Sequence, residues 1–317
     1  MEEHKPVLLK EVLYFLDVKP GRRFIDATIG GSGHAEAILK SGGEVLGIDV
    51  SPVALRLAEE RIKGVCLPAG ALAKAGPSPK VRLVQGNFRD ILQIAQNAGF
   101  RKVDGILFDL GVASFQIGEP DLGLSFSRDG PLDMRLSTGL GVKACDLINS
   151  LPEDKLYELF YEIGQEKRAL EIARAICVAR SVAPFKTTTD LRQVIEDVYG
   201  GRQKVKGPGT IRYGAGKRQK IHPATKVFMA LRIAVNLEFE NLEAALPQAI
   251  ELLKSGGRLL VISFHSGEDK RVKQFFKEEE KKEIIRILTK KPITPSLAEI
   301  EENPRSRSAK FRVGEKI

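Results

Sequence analysis

The chain has 317 residues, with 50 Lys and Arg against 41 Asp and Glu, a net charge of +9, and 43% hydrophobic residues. That length suffices for about two domains with large cores, and the positive balance favours a polyanionic partner. Cys66, Cys145 and Cys177 are scattered, fit neither a disulfide framework nor a zinc site, and point to a reducing compartment. The opening Met1-Glu2-Glu3-His4-Lys5-Pro6 lacks the apolar core of a signal peptide, and no run of about 18 apolar residues occurs. A cytoplasmic protein is expected.

His4 to Leu16 mixes apolar residues with Glu11 and reads as a lead-in helix. Arg22 to Asp49 then runs as strand, Gly-rich turn (Ile29-Gly30-Gly31-Ser32-Gly33-His34), helix and strand, closing on Asp49. Ser51-Pro52 opens a helix, with Ser51 as its cap. Residues 64–80, rich in Gly, Pro and Ala, form a surface excursion. Val81 to Gly86 is a third strand and Ile91 to Ala98 a helix. Val103 to Leu110 is nearly all apolar, as in a strand buried on both faces, and carries Asp109 at its end. Alternating strands and helices predict a parallel α/β sheet.

The alternation stops at about Val112. Ser150-Leu151-Pro152-Glu153 has the spacing of a capping box. Glu166 to Val182 shows helical periodicity, and Thr189 is placed to cap a helix through Val198. A basic stretch follows, with Arg202, Lys204, Lys206, Arg212, Lys217, Arg218 and Lys220. One long helix is expected from His222-Pro223 past Leu242, and another ending at a Gly256-Gly257 cap. Arg258 to Phe264 is a buried strand. A charged helix over residues 268–285 and strands near Ile287–Thr289 and Lys310–Val313 complete the sheet. The expected domains are 1–112 with 221–317, and an all-helical insertion at 113–220.

The first turn holds the functional clue. Glycines let the backbone approach a ligand, and the helix start behind them offers unpaired N–H groups. Asp49, about 20 residues on, is placed to accept from ribose hydroxyls. The dinucleotide pattern GxGxxG fails, since Glu36 stands at its third glycine, and no GxxxxGK[ST] occurs. A glycine turn and an acidic strand end without a phosphate signature suit S-adenosylmethionine. Four histidines without paired spacing predict no structural metal.

The chain resembles the MraW-like family of bacterial 16S rRNA cytosine-N4 methyltransferases over nearly its whole length. The likeness rests on His4-Lys5-Pro6-Val7-Leu8-Leu9, Asp26-Ala27-Thr28 with Gly33-His34, Asp109-Leu110-Gly111-Val112, Asp129-Gly130-Pro131-Leu132-Asp133-Met134-Arg135, His222-Pro223-Ala224-Thr225, Ser263-Phe264-His265-Ser266 and Asn303-Pro304-Arg305-Ser306-Arg307-Ser308. Ser32 stands where that family has Gly, Gly267 where it has Leu, and Gly164-Gln165-Glu166-Lys167 where it has Gly-Glu-Glu-Arg. The resemblance implies a class I S-adenosylmethionine-dependent methyltransferase fold, a Rossmann-like, mostly parallel seven-stranded sheet. It implies cofactor contacts at Ser32, Gly33, His34, Asp49, Phe88, Asp109 and Gln116. The implied substrate is a cytidine in the decoding region of small-subunit rRNA, presented on an assembled subunit.

Methyl transfer to a cytosine amine needs near-attack positioning and an acceptor for the amine N–H. Asp109 is the candidate acceptor, or else it caps the following loop. Asp133 and Arg135 belong either to the chemistry, with Arg135 holding phosphate or base, or to an internal ion pair. His265 contacts the target nucleotide or is a structural histidine; His222 reads as a loop anchor. Lys217, Arg218 and Lys220 are expected on the RNA backbone, with Arg305 and Arg307 as a second contact. The competing function is a non-catalytic, cofactor-binding ribosome-assembly factor. A DNA amino methyltransferase is disfavoured because Leu110-Gly111-Val112 replaces the Pro-Pro-aromatic run after the fourth strand. No oligomeric state follows from the sequence.

Overall fold

A computed structural model describes residues 5–66, 81–137, 139–200 and 222–317. Most of the 64–80 excursion and the whole Arg202–Lys220 basic stretch, including Lys217, Arg218 and Lys220, lie outside the described residues. The chain divides into two compact units, 1–113 with 239–317 and 114–238.

The first unit is built on seven strands: β1 (Arg23–Asp26), β2 (Glu44–Asp49), β3 (Val81–Gln85), β4 (Val103–Asp109), β5 (Leu253–Ser263), β6 (Ile285–Ile287) and β7 (Lys310–Lys316). Their order is β3-β2-β1-β4-β5-β7-β6. The first five are parallel, and β7 enters antiparallel between β5 and β6. The apolar run of β4 is buried as its composition predicts. Ile106 and Phe108 face one layer with Ile25, Leu246 and Val261. Leu107 faces the other with Phe24, Leu260, Ile262 and Phe311. Alternate side chains point to opposite faces, so both faces of the strand are apolar. Reversal of strand order between β1 and β4 opens a crevice at the carboxyl ends of these strands.

The segment before the sheet is tied at several points. The Leu8 N–H donates to Glu299 Oε1 at 2.7 Å, and Asn303 Nδ2 donates to the Lys5 carbonyl at 3.3 Å. Residues 5–8 are thus fastened to the Leu297–Glu302 helix and the residue after it.

The second unit is helical: Ala144–Ser150, Glu153–Glu158 widening into a π-turn at Leu159–Ile163, Ala169–Val182, Thr188–Gly200 and Ala224–Asn236. Phe160, Ile172, Ile176, Leu191, Ile195, Val227 and Leu231 fill its core. The helix at Ala224–Asn236 was expected with the sheet, beyond a boundary at 220. Its apolar face, Val227, Phe228 and Leu231, packs into the helical core instead.

Other local expectations need correction. The long helix after Pro223 breaks at Leu237, which takes a left-handed φ of 52°, and restarts as Glu238–Leu252. Gly256-Gly257 does not cap a helix; with Gly256 at φ 73°, it marks a register slip inside β5. Ser150 does not cap the Glu153 helix, because its hydroxyl donates back to the Asp146 carbonyl. Thr187, not Thr189, caps the Thr188–Gly200 helix, accepting from the Asp190 N–H at 3.2 Å while Asp190 accepts from the Thr187 N–H at 2.9 Å. Ser51 behaves as read, accepting from the Ala54 N–H at 3.2 Å. No helix among the described residues is long and apolar enough to cross a membrane.

Candidate active site

Three carboxyls stand at the carboxyl ends of β1, β2 and β4: Asp26, Asp49 and Asp109. Asp26 is 1% exposed. Burial pushes it up to about 7, opposed by the Thr28 N–H and reinforced by the charge of Asp49. Burial also raises Asp49, against hydrogen bonds from the Ser51, Gly30 and Val50 N–H groups. Its Oδ2 lies 3.0 Å from the Gly30 nitrogen and its Oδ1 2.9 Å from that of Ser51. Asp109 is raised well above the ordinary carboxylate range, by burial first and then by Asp26 and Glu268.

The turn between β1 and the helix Gly33–Lys40 is tightly built. Ser32 holds a left-handed φ of 60° without capping the helix with its side chain. Such a conformation costs a non-glycine residue about 1 kcal/mol, so the family's usual Gly is replaceable here. Gly33 is favoured for a different reason: a Cβ there would lie 3.0 Å from the Pro6 ring, which would have to give way. His34 is buried; its Nε2 lies 2.9 Å from the Val7 carbonyl. A carbonyl only accepts, so Nε2 carries a proton and Nδ1 faces Asp109 Oδ2 at 3.6 Å. Phe88 packs edge-on against Phe108, with centroids 5.6 Å apart.

The Asp109 N–H donates to Thr28 Oγ1 at 2.7 Å, which fixes the strand end. Its Oδ1 is buried without a hydrogen-bond partner, as is Ser32 Oγ. Three buried carboxyls with raised pKa gain most from a nearby cation, which favours their ionised form. A sulfonium and an ammonium on one adenosine-bearing ligand match that donor set, so the residues fit S-adenosylmethionine.

Beyond β5, His265 caps the helix Ser266–Lys281. Its Nδ1 accepts from the Glu268 N–H at 3.4 Å, while Glu268 accepts from the Phe264 and His265 N–H groups at 2.8 and 3.3 Å. Nε2 lies 3.1 Å from Glu268 Oε1 but off the line a hydrogen bond needs. Gly267 leaves room for Phe239, whose ring would lie 2.5 Å from a Cβ there and is covered by the Arg271 guanidinium at 3.6 Å. That explains why the Leu usual at this position is absent.

Gln116 belongs to the helical unit, buried on the short helix Ser114–Gly118. Asp133 and Arg135, in the same unit, form a bidentate pair at 2.7 and 2.9 Å, and Arg135 Nη1 donates to the Leu140 carbonyl at 2.8 Å. Burial raises the Asp133 carboxyl, but the Arg135 hydrogen bonds outweigh it and hold the carboxyl below its ordinary value. His222 stacks on Phe126 at 4.5 Å and accepts from the Ala224 N–H at 3.1 Å. Arg305 and Arg307 are exposed on the turn Pro304–Ser308. Two residues of the site escaped the sequence reading. Asp26 ends an apolar strand and reads there as a strand terminus. Glu268 follows His265 by three residues, the spacing of a capping box, which could have revealed it.

A parallel sheet with one antiparallel strand in this order, carrying an acidic crevice beside a glycine turn, defines a class I methyltransferase that uses S-adenosylmethionine. The MraW methylase family matches residues 1–317, and the chain belongs to that family. It is 44% identical over 335 residues to the ribosomal RNA small subunit methyltransferase H of Thermomicrobium roseum, covering 99% of this chain and 94% of that one. The protein of the same name from Dehalococcoides mccartyi is 43% identical, with 99% and 86% covered. That of Persephonella marina is 41% identical over the full length of both chains.

Proposed function

We propose that this enzyme methylates the exocyclic N4 of a cytidine in the decoding region of small-subunit rRNA, acting in the cytoplasm on an assembled subunit. The observation that carries this reading is the Asp109 carboxyl, anchored at the end of β4 with Oδ1 buried and without a hydrogen-bond partner. The relatives named above are ribosomal RNA methyltransferases and support an rRNA substrate.

The bound cofactor supplies an electrophilic methyl carbon on a positively charged sulfur. Ser32, Gly33, His34, Asp49 and Phe88 would hold it. Asp109 Oδ1 accepts one N–H of the target amine and turns its lone pair toward the methyl. When bound, the cofactor would supply the methyl group to the amine nitrogen, its sulfur keeping the electron pair of the broken C–S bond. The resulting ammonium passes a proton to Asp109, whose carboxyl burial makes more basic than an ordinary carboxylate. Asp133 acts through Arg135, holding the loop that presents substrate. Arg305 and Arg307, with Lys217, Arg218 and Lys220, are assigned to the RNA backbone. The target is splayed out or single-stranded, since the amine must reach the methyl.

The test is incubation of the enzyme and labelled S-adenosylmethionine with small subunits from cells lacking this protein, followed by mass mapping of the rRNA. N4-methylcytidine at one site is expected. A methyl group on another atom, or none, refutes the proposal; none with the donor bound would mark a non-catalytic assembly factor.

A further inference from the structure

His34 opens the helix Gly33–Lys40 and is 5% exposed. Its Nε2–H is committed to the Val7 carbonyl at 2.9 Å, so the neutral ring turns the Nδ1 lone pair toward Asp109 Oδ2 at 3.6 Å. That carbonyl is itself held, because the N–H of the next residue, Leu8, donates to Glu299 Oε1 at 2.7 Å. The other tautomer would set a ring lone pair against the Val7 oxygen. Asp109 is fixed from its own side by the bond from its N–H to Thr28 Oγ1. Two acceptors therefore face each other. While Asp109 is ionised, lone pair meets lone pair and no bond forms; one proton between them makes a hydrogen bond. The other charged groups acting on Asp109 are Asp26 from β1 and Glu268 from the helix Ser266–Lys281, with Asp49 from β2 set against Asp26. All three are acids and disfavour a further negative charge.

We propose that His34 is the positioning residue for Asp109: the Nε2–H held by Val7 keeps Nδ1 aimed at Oδ2, which gives the carboxyl a partner for the proton that the methylated amine must lose. One N–H bond of the ammonium breaks and one O–H bond forms on the carboxylate, so the positive charge on nitrogen and the negative charge on oxygen cancel. Turned toward Nδ1, the new O–H gains a hydrogen bond that the ionised carboxylate cannot make there. The pair therefore takes up a proton more readily than Asp109 alone, and the two groups titrate as one unit. The proton returns to water after product departs. The inference deepens the reading above, in which Asp109 is the base, by naming what makes it one.

Nitrogen and carbon NMR on the unliganded wild-type protein can follow His34 Nδ1 and the Asp109 carboxyl carbon through a pH titration. The two signals are expected to move together with one midpoint, Nε2 staying protonated throughout. Separate midpoints, or a neutral ring with its proton on Nδ1, overturn the proposal. The same midpoint should appear in the acid limb of kcat/KM, which rises with pH as Asp109 ionises in the free enzyme. His34→Gln places an amide N–H within reach of the Val7 carbonyl and nothing at the Nδ1 position. Its limb is expected to move down by about one pH unit, the worth of one hydrogen bond. His34→Asn, which puts an oxygen near the Nδ1 position, should return the limb toward wild type. A lower Tm or weaker donor binding in His34→Gln with the limb unmoved would make His34 purely structural and overturn the proposal. If the wild-type enzyme forms no N4-methylcytidine, the functional reading fails, while the titration of the unliganded protein still decides whether His34 and Asp109 share a proton.

Discussion

Replacing Asp26 by Asn tests the electrostatic account of the site without changing side-chain shape. The Asp26 carboxyl is 1% exposed and holds its proton up to about pH 7, against 3.8 for a solvated Asp. Between those values the folded chain keeps a proton that the unfolded chain has lost. Stability is therefore greatest below 3.8, falls as pH rises, and levels off above about 7. At about 1.4 kcal/mol per pKa unit, the full penalty is roughly 4 kcal/mol. An amide does not titrate, so Asp26→Asn escapes it. Relative to wild type, the variant should gain roughly 3 kcal/mol of stability between pH 5 and pH 8. Urea unfolding across that range measures it, with hydrogen exchange of the β1 and β4 amides reporting on the sheet unit. Parallel pH curves for the two proteins would refute the reasoning. The same variant should bind S-adenosylmethionine more weakly, having lost a charge that a cation stabilises.

Four further outcomes follow from the same geometry. A cationic ligand lowers the raised carboxyls, so donor binding near pH 6.5 should release protons, seen as a binding heat that depends on buffer ionisation enthalpy and fades above pH 8. Asp109→Ala should cut kcat by at least about 100-fold with the circular dichroism spectrum unchanged, while wild-type kcat/KM rises with pH to a plateau as Asp109 ionises. Gly267→Leu should destabilise by about 1–3 kcal/mol through overpacking on Phe239, and Phe239→Ala should recover part of the loss in a double-mutant cycle read by thermal melts. Arg305→Ala with Arg307→Ala should reduce the slope of log K against log salt for RNA binding by roughly 2; an unchanged slope would remove them from the interface.

The parts of the fold visible in the sequence were those where one local rule governs. The continuous apolar run of β4, the acidic end of β2 and the Ser51 cap each follow from their own residues. The break at Leu237 was hidden because helical periodicity runs through it with no Gly or Pro at the left-handed position. Assignment of Ala224–Asn236 to the helical unit was hidden for a related reason: an apolar stripe says that a helix is buried, not against what. Thr187 and Thr189 both precede apolar residues, and only the reciprocal bonds with Asp190 distinguish them. At the site, Asp49 and Asp109 are carboxylates at strand ends and stand out.

The fastening of residues 5–8 has a bearing on synthesis. The Val7 carbonyl orients His34 beside Asp109, yet this segment is gripped by Glu299 and Asn303, and β5 meets its neighbour β7 only after residue 310. A nascent chain therefore carries an unfinished donor cleft until residues 299–316 have been made. Fragments that stop before Glu299 lack the groups that hold Val7 against His34.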